Sequence, residues 1–196
     1  MKILLCPDSF KGSLSSYEVC HAIKKGFLRC THDVEIVEKP VADGGEGTIE
    51  ALYYGLGGRL VKTEITGPLW EKVNAQYLIL DDQKTAIIEM AQAAGLTLVP
   101  IQKRNPRYTT TFGVGELVNN AVKNGCKKVI LAIGGSATND GGMGALAALG
   151  VKFYDENQKL LPGMGENLPK VQTIDTEGVE KAMNEVEILI ASDVKN

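Results

Sequence analysis

The sequence predicts an α/β protein, with a Rossmann-like parallel sheet covered by helices on both faces and a second, smaller mixed α/β domain. Apolar strands alternate with amphipathic helices over residues 1–58 and again over roughly 106–150, an order typical of parallel sheets. Between these regions, extended segments follow one another without an intervening helix, which favours antiparallel pairing.

This change of pattern predicts where the two domains lie. We assign residues 1–58, roughly 106–150 and 186–196 to the Rossmann-like domain, which we expect to be incomplete in this chain. Residues 59–105 and roughly 151–185 make up the second, mixed domain.

The first 58 residues predict two strand–helix units. KILLC (2–6) is a short apolar strand, and residues 15–30 carry apolar side chains at helical spacing behind an S-x-x-E capping box. A second strand over 34–42 leads into a second helix over 48–58. This alternation is the beginning of a parallel α/β sheet.

The next region predicts strands that pair locally. Residues 59–65 and 72–80 are extended segments on either side of a Gly67-Pro68 turn. A polar turn then leads into the apolar segment 84–90. Strands that follow each other without a helix indicate an antiparallel or mixed sheet.

The alternation of strands and helices returns in the second half. An amphipathic helix covers 114–122, and KVILAI (128–133) is a nearly continuous apolar strand, as expected where both faces of a sheet are covered. A further helix ends at Gly150, and a hairpin is predicted over 151–161. The last strand, VEILIAS (186–192), is apolar on both faces, which predicts a central position in the sheet.

Composition excludes several classes of function. The 196 residues carry a formal net charge of −3, with 44% hydrophobic and 23% charged residues, as in ordinary globular proteins. This charge and the lack of basic runs argue against nucleic acid as a partner, and no apolar run is long enough to predict a membrane span or signal peptide. The four cysteines form no CxxC pair and are expected to be reduced thiols in a cytoplasmic protein.

Three predicted strands each end in a polar loop that contains a carboxylate. These loops are PDSFKGSLS (7–15), ADGGEGT (42–48) and GGSATNDGG (134–142), and SDVKN (192–196) follows the last strand. Ligands of open α/β sheets bind beyond the carboxyl ends of the strands, so we expect the loops to meet in one crevice.

The residue types in these loops suit a phosphorylated ligand. Glycines let backbone N–H groups approach an anion, and Ser136, Thr138 and Asn139 can donate hydrogen bonds to phosphate oxygens. Carboxylates beside phosphates are explained by a Mg²⁺ ion between them, or by a proton acceptor for an attacking hydroxyl. Lys11 is a cation suited to a phosphate or a substrate carboxylate.

The same loops match neither of the familiar phosphate-binding fingerprints. The 134–142 loop lacks the GK[ST] of a P-loop, and no GxGxxG follows the first strand, which argues against a dinucleotide-dependent oxidoreductase. The residues alone leave two functional interpretations open. One is a phosphotransferase, and the other is a catalytically silent module that binds an anion or a nucleotide.

Taken in order, the motifs CPDSFKGSLS, ADGGEGT, GGSATNDGG and SDVKN resemble those of the glycerate kinase family, the bacterial class that phosphorylates D-glycerate from ATP. The resemblance extends over the whole chain. It implies a two-domain α/β kinase with its active site in the cleft between the domains, ATP and Mg²⁺ as cofactors, and 2-phospho-D-glycerate as product.

The resemblance also implies that family members continue past the SDV motif. We therefore expect this chain to be an N-terminal portion that is not a competent kinase alone. An exposed apolar strand edge favours association, so a homodimer is expected.

The resemblance assigns roles to particular residues, without settling which aspartate acts as the base. The catalytic candidates are Asp8, Lys11, Asp43 and Asp193. The cofactor-binding candidates are Gly44, Gly45, Glu46, Gly47, Thr48, Gly134, Gly135, Ser136, Ala137, Thr138, Asn139, Asp140, Gly141 and Gly142. The substrate-binding candidates are Ser9, Lys11 and Thr110, and the metal-binding candidates are Asp193 and Asp140.

Overall fold

The structure is a computed structural model that describes residues 1–10, 13–31, 33–179 and 181–192. The strands in these ranges are β1 (Lys2–Leu5), β2 (Glu35–Glu38), β3 (Arg59–Thr66), β4 (Lys72–Ile79), β5 (Thr85–Glu89), β6 (Lys128–Ala132), β7 (Lys152–Tyr154), β8 (Thr173–Asp175) and β9 (Glu187–Ala191). The α-helices are α1 (Ser16–Cys30), α2 (Thr48–Leu56), α3 (Ala91–Ala94), α4 (Phe112–Lys123) and α5 (Met143–Ala148). Short 3₁₀ helices cover Leu96–Leu98, Ile101–Lys103, Gly165–Lys170 and Lys181–Glu185.

The strands form one mixed sheet and two small ones. The main sheet has the order β3-β4-β5-β6-β9, in which β4 is antiparallel to both β3 and β5, and β6 is parallel to both β5 and β9. A parallel pair, β1-β2, is connected through α1, and β7 pairs antiparallel with β8. The predicted α/β class is therefore confirmed.

Helices cover both faces of the main sheet. On one face, Ile49 of α2 packs against Leu78 and Ile87. On the other face, α3 and α4 pack on a larger core that includes Tyr77 and Ile88. Because successive side chains of a strand point to opposite faces, β5 contributes Ile87 to one core and Ile88 to the other.

Sheet membership differs from the prediction for the middle of the chain. The sequence predicts a separate unit for β3, β4 and β5, but these strands share a sheet with β6 and β9. The reason lies in β5, whose residues are all buried, as a strand with neighbours on both edges and helices on both faces requires. The division of the chain into two domains stays a prediction.

Two further predictions concern the carboxyl end of the chain. The hairpin predicted over 151–161 is present in a short form, because Tyr154 and Leu160 form an antiparallel bridge and the Leu161 amide donates to the Phe153 carbonyl at 2.8 Å. The partner strand of β7 is β8. The last strand has the apolar pattern of a central strand and pairs, among the described strands, with β6 alone, so the apolar edge that the sequence predicts to be exposed is exposed. Its apolar side chains remain exposed, and Ile190 is 57% exposed.

The central position of β5 predicts a large cost for truncating its buried side chains. Ile88 is 0% exposed, so Ile88→Ala leaves a cavity and should lower the free energy of unfolding by about 2–5 kcal/mol. Ile101, at 74% exposed, is the control, and Ile101→Ala should change that free energy by less than about 0.5 kcal/mol. Urea denaturation of both variants measures the difference, and equal effects would contradict the assignment of β5 to the core.

Candidate active site

The ends of four strands meet at one edge of the molecule. The Val41 amide, after β2, donates to the Pro7 carbonyl, after β1, at 3.2 Å. The Gly134 amide, after β6, donates to the Gly44 carbonyl at 3.0 Å. The end of β9 joins them, since the Ala191 carbonyl accepts from the Ile133 amide at 3.2 Å. The predicted convergence of the loops is present in the described part of the chain.

Two of these loops touch through their backbones, at a point where a side chain does not fit. A Cβ placed on Gly134 would lie 2.6 Å from the Gly45 Cα and 3.0 Å from the Gly44 carbonyl oxygen. Gly44 itself has φ +87°, a conformation that other residues rarely adopt. The glycines that sequence analysis connected with ligand binding therefore have a structural task as well, because they bring the 42–48 and 134–142 loops into contact.

A cavity of about 220 Å³ opens between the first loop and the start of α2. Serine hydroxyls and carboxylates line much of it. The lining residues are Ser9, Ser13, Leu14, Ser15, Ser16, Glu46, Gly47 and Glu50. Both α1 and α2 begin at this cavity, and they are held together by Tyr17 stacking on Tyr54 with ring centroids 4.1 Å apart. Backbone N–H groups in the first turn of a helix favour anions, whereas the Glu46 and Glu50 carboxylates favour cations, so this cavity suits a negatively charged ligand that binds together with a cation.

The 134–142 loop lies between β6 and α5, as predicted, and backbone contacts hold it in place. Its first half pairs with residues 94–96, where the Leu96 amide donates to the Gly135 carbonyl at 2.9 Å and the Ala137 amide donates to the Ala94 carbonyl at 2.8 Å. Within the loop, the hydroxyls of Ser136 and Thr138 are 2.8 Å apart. The Asn139 side chain is exposed and accessible to a ligand.

Asp140 is buried and serves as the anchor of this loop. It is 1% exposed, and its Oδ2 accepts hydrogen bonds from the Thr111 amide and hydroxyl, each at 2.8 Å, and from the Gly144 amide at 3.1 Å. Its Oδ1 accepts from the Gly142 amide at 3.0 Å. Four donors occupy the carboxylate, so this geometry corrects the prediction that Asp140 is a metal ligand and makes it a buried cap.

Thr110 also has a structural contact in place of the predicted substrate contact. Its side chain is 0% exposed, and its hydroxyl donates to the Gly163 carbonyl at 2.5 Å. The neighbouring Thr109 hydroxyl donates to the Ala137 carbonyl at 2.9 Å. The three threonines before α4 therefore tie the 134–142 loop and the 163 region together, and Thr110 is not accessible to a ligand.

The remaining predicted side chains fall into two groups. Asp8, Ser9 and Asp43 are half-buried on adjacent loops, and two of them order the local backbone: Asp8 Oδ1 accepts from the Ser9 amide at 2.6 Å and Asp43 Oδ1 from the Gly45 amide at 3.0 Å. Lys11 and Asp193 lie outside the described residues, and their roles stay predictions.

Sequence reasoning missed a buried carboxyl group beside these loops. Glu89, the last residue of β5, is 1% exposed, and its Oε1 accepts a hydrogen bond from the Ile49 amide in the first turn of α2 at 2.5 Å. Burial raises the pKa of Glu89 above its usual range, although the bonds from Ile49 and Gln92 oppose this change. The sequence does contain an indication of this group, because a charged residue ends TAIIE, a strand whose other residues are typical of a buried core.

Comparison with known proteins assigns the chain to a family. The sequence profile of the glycerate kinase family matches residues 3–196. The chain belongs to the glycerate kinase family. No helix in the described part of the chain is long and apolar enough to cross a membrane.

Individual relatives support the same assignment. A glycerate 2-kinase of Escherichia coli is 48% identical over 196 residues, which are 100% of this chain and 51% of that protein. A glycerate kinase of Haemophilus influenzae is 46% identical, with 100% and 52% coverage. A crystal structure of a provisionally assigned glycerate kinase 2 from Salmonella typhimurium LT2 superposes with a TM-score of 0.86 at 44% identity, covering 100% of this chain and 53% of that one. The chain spans about half the length of the relatives it matches.

The contact between the two glycine loops predicts the effect of a single methyl group. Gly134→Ala would push the added Cβ into Gly45, so the free energy of unfolding should fall by about 1–3 kcal/mol. Gly26, inside α1, is the matched control because a Cβ there meets no described atom within 4 Å. Gly26→Ala should raise the free energy of unfolding by about 0.5–1 kcal/mol. Urea denaturation measures both variants, and a neutral Gly134→Ala would show that the loops do not depend on this approach.

The buried carboxyl predicts a pH dependence of stability with a definite sign. The pKa of Glu89 is raised from 4.5 in the folded chain, so its protonated form stabilises the fold. That contribution is fully present below pH 4.5 and is lost as the pH rises through the higher folded-state value.

Glu89→Gln cannot titrate, so it isolates this contribution. The wild-type free energy of unfolding, relative to that of Glu89→Gln, should decrease as the pH rises from about 4 to about 8. Denaturant titrations at a series of pH values measure the difference. A difference that stays constant or grows with pH would contradict the raised pKa.

Proposed function

We propose that this chain provides the nucleotide and substrate loops for transfer of the γ-phosphate of ATP to a hydroxyl of D-glycerate. The observation that carries the proposal is the contact between the 42–48 and 134–142 loops, made at Gly134 and Gly44, beside the cavity lined by Ser9 and Glu46. This contact brings the glycine-rich motifs of a phosphoryl-transfer family, which follow strands of two different sheets, to one edge of the molecule. The proposal extends to 2-phospho-D-glycerate as product, which the name of the Escherichia coli relative supports.

In this proposal, the glycine-rich loops bind the phosphates of ATP. The amides of Gly134, Ala137, Thr138 and Gly142 already donate to acceptors in the protein. The other backbone N–H groups of the 134–142 loop, with the hydroxyls of Ser136 and Thr138 and the side-chain amide of Asn139, supply neutral donors for phosphate oxygens. Asp140 contributes indirectly, because its four hydrogen bonds hold the backbone of this loop in one conformation. Donors fixed before the ligand arrives stabilise developing charge without the cost of reorganisation.

Glycerate is proposed to bind beside the first loop. The Ser9 hydroxyl and the first turns of α1 and α2 face the cavity, and Lys11 follows within two residues to pair with the glycerate carboxylate. Asp8, Asp43 and Asp193 are the candidates for the group that accepts the hydroxyl proton. Phosphoryl transfer needs alignment and charge stabilisation, so the main contribution of these residues is to orient the hydroxyl for in-line attack.

The carboxylates at this edge fit a Mg²⁺ ion that is shared with the nucleotide. No group of three or more His, Cys, Asp or Glu side chains that could hold a metal occurs among the described residues. Mg²⁺ in kinases commonly takes one or two carboxylates and completes its coordination with phosphates and water. Asp43 and Glu46, on the 42–48 loop, supply oxygen donors of that kind, and Asp193 stays a predicted ligand. When bound, the ion would neutralise charge on the phosphates.

The proposed setting follows from the sequence. We expect a cytoplasmic protein whose partners are ATP and D-glycerate. A second copy of the chain is the proposed cover for the exposed side chains of β9, such as Ile190.

Ligand-dependent unfolding and ADP release test the proposal. MgATP should raise the melting temperature of the chain, ATP without Mg²⁺ should raise it less, and NAD should leave it unchanged, since the loops lack a dinucleotide fingerprint. ADP release that requires D-glycerate would report transfer, and analysis of the product identifies the phosphorylated hydroxyl.

The outcomes separate the two functions that the loops suit. Stabilisation by MgATP without glycerate-dependent ADP release would favour a silent nucleotide-binding module. If MgATP does not change the melting temperature at concentrations well above the dissociation constants typical of kinases, a nucleotide site in this chain is contradicted.

A further inference from the structure

Helix α2 begins without a cap of its own. Gly47 is the N-cap residue, with φ +94°, and it has no side chain to accept from the first N–H groups of the helix. Those groups have no carbonyl partner within a helix, and Ser, Thr, Asp or Asn usually supplies the acceptor. The Thr48 amide donates to the nearby Gly45 carbonyl at 3.4 Å, so it is the Ile49 amide that depends on a partner from elsewhere in the chain.

Glu89 provides that partner from the middle of the main sheet. Its Oε1 accepts from the Ile49 amide at 2.5 Å, across 40 residues of sequence, while its Oε2 lies 3.4 Å from the Gln92 side-chain amide. Strand β5 lies between β4 and β6 and is buried along its whole length. The acceptor is thus fixed to the most constrained strand of the fold.

The segment that Glu89 holds is the one that faces the cavity. Glu46 and Gly47 line the cavity, and the next residues begin α2. At its other end, the same loop is held by the Gly44 carbonyl accepting from the Gly134 amide. The loop is therefore fixed at two points, and Glu89 is the point nearer to the cavity-lining residues.

We propose that Glu89 is a positioning residue, whose buried carboxylate orients the 43–48 loop and the first turn of α2 toward the ligand. This inference rests on the proposed function, because the ligand in question is MgATP with glycerate. A buried carboxyl is an expensive way to fill space, and the other four residues of β5 are three apolar side chains and a threonine. The presence of a carboxyl group at this position is explained by the Ile49 N–H group, which it accepts from and holds in place.

Four variants separate positioning from general stability. Glu89→Leu fills the space but removes the acceptor, and Glu89→Gln keeps an acceptor oxygen without the charge. Glu89→Asp keeps the charge on a side chain one methylene shorter, which cannot reach Ile49 without movement. Glu116→Leu is the matched control, because Glu116 Oε2 also accepts a backbone amide, that of Thr66 at 2.5 Å, on α4 and outside the cavity.

Hydrogen exchange gives a readout that needs no ligand. In Glu89→Leu, amide exchange across 43–50 should increase about 10- to 100-fold, because the Ile49 N–H group loses its acceptor. Exchange across 143–148 should not change, and Glu89→Gln should resemble the wild type. Glu116→Leu should leave the 43–50 segment unchanged.

Calorimetric titration with MgATP gives the functional readout. Glu89→Leu should bind MgATP about 10- to 100-fold more weakly than the wild type, Glu89→Asp should also bind more weakly, and Glu89→Gln should restore affinity to within about threefold. If Glu89→Leu does not fold, the affinities of Glu89→Asp and Glu89→Gln for MgATP are compared with that of the wild type instead.

The outcomes distinguish this inference from the proposed function. Wild-type exchange and affinity in a folded Glu89→Leu or Glu89→Asp variant would overturn the positioning role. Equal losses in Glu116→Leu would also overturn it, because they would indicate general destabilisation. If the wild type itself does not bind MgATP, the proposed function fails in this chain, and exchange across 43–50 alone decides whether Glu89 orders the loop.

Discussion

The structure around the candidate site depends on one close approach of two backbones. Gly134 and Gly45 meet at a distance that leaves no room for a Cβ, and a hydrogen bond from the Gly134 amide to the Gly44 carbonyl closes the contact. This approach joins the β2 end of the molecule to the β6 end, although β1-β2 and the main sheet are separate sheets. Without it, the loops would extend from different sheets and would not share one surface.

Two buried carboxylates then hold the loops on either side of that contact. Asp140 accepts four hydrogen bonds from the first turns of α4 and α5, and Glu89 accepts one from the first turn of α2. Both accept from N–H groups at helix N-termini, which have no carbonyl partner within the helix. Flexible glycines thus supply the shape of the loops, and buried acceptors restrict that shape.

Much of this could be predicted from the sequence, because local patterns carry it. The apolar strand 128–133 and the polar glycine loop after it predicted a strand–loop–helix unit, which the structure contains. The capping box at Ser15 is present, with the Glu18 carboxylate accepting from the Ser15 amide at 2.8 Å. Family membership followed from four motifs in order, which can be recognised in the sequence without knowledge of the fold.

What could not be predicted depends on contacts between distant segments. Nothing local in ADGGEGT shows that Glu89 would cap the helix after it, because the two are 40 residues apart. In the sequence, Asp140 is a carboxylate in a polar glycine loop, which is also what an exposed ligand would look like. Only its burial against Thr111 shows that it is a cap and not a ligand. The assignment of β5 to the main sheet likewise depended on a parallel partner, β6, that follows roughly 40 residues later.

The order of strands in the main sheet also has a consequence for how the chain folds. Strands β3 and β4 pair over a short turn, from Thr66 to Lys72, whereas Ile87 must find Ile130, and Ile130 must find Leu189. Closing longer loops costs more chain entropy before any contact compensates for it, so the local meander forms early and the parallel pairs form late. The crevice is bordered by the ends of those late strands. We therefore expect the crevice to assemble late in folding, after the β3-β4 pair and together with the part of the core that β5 and β6 share.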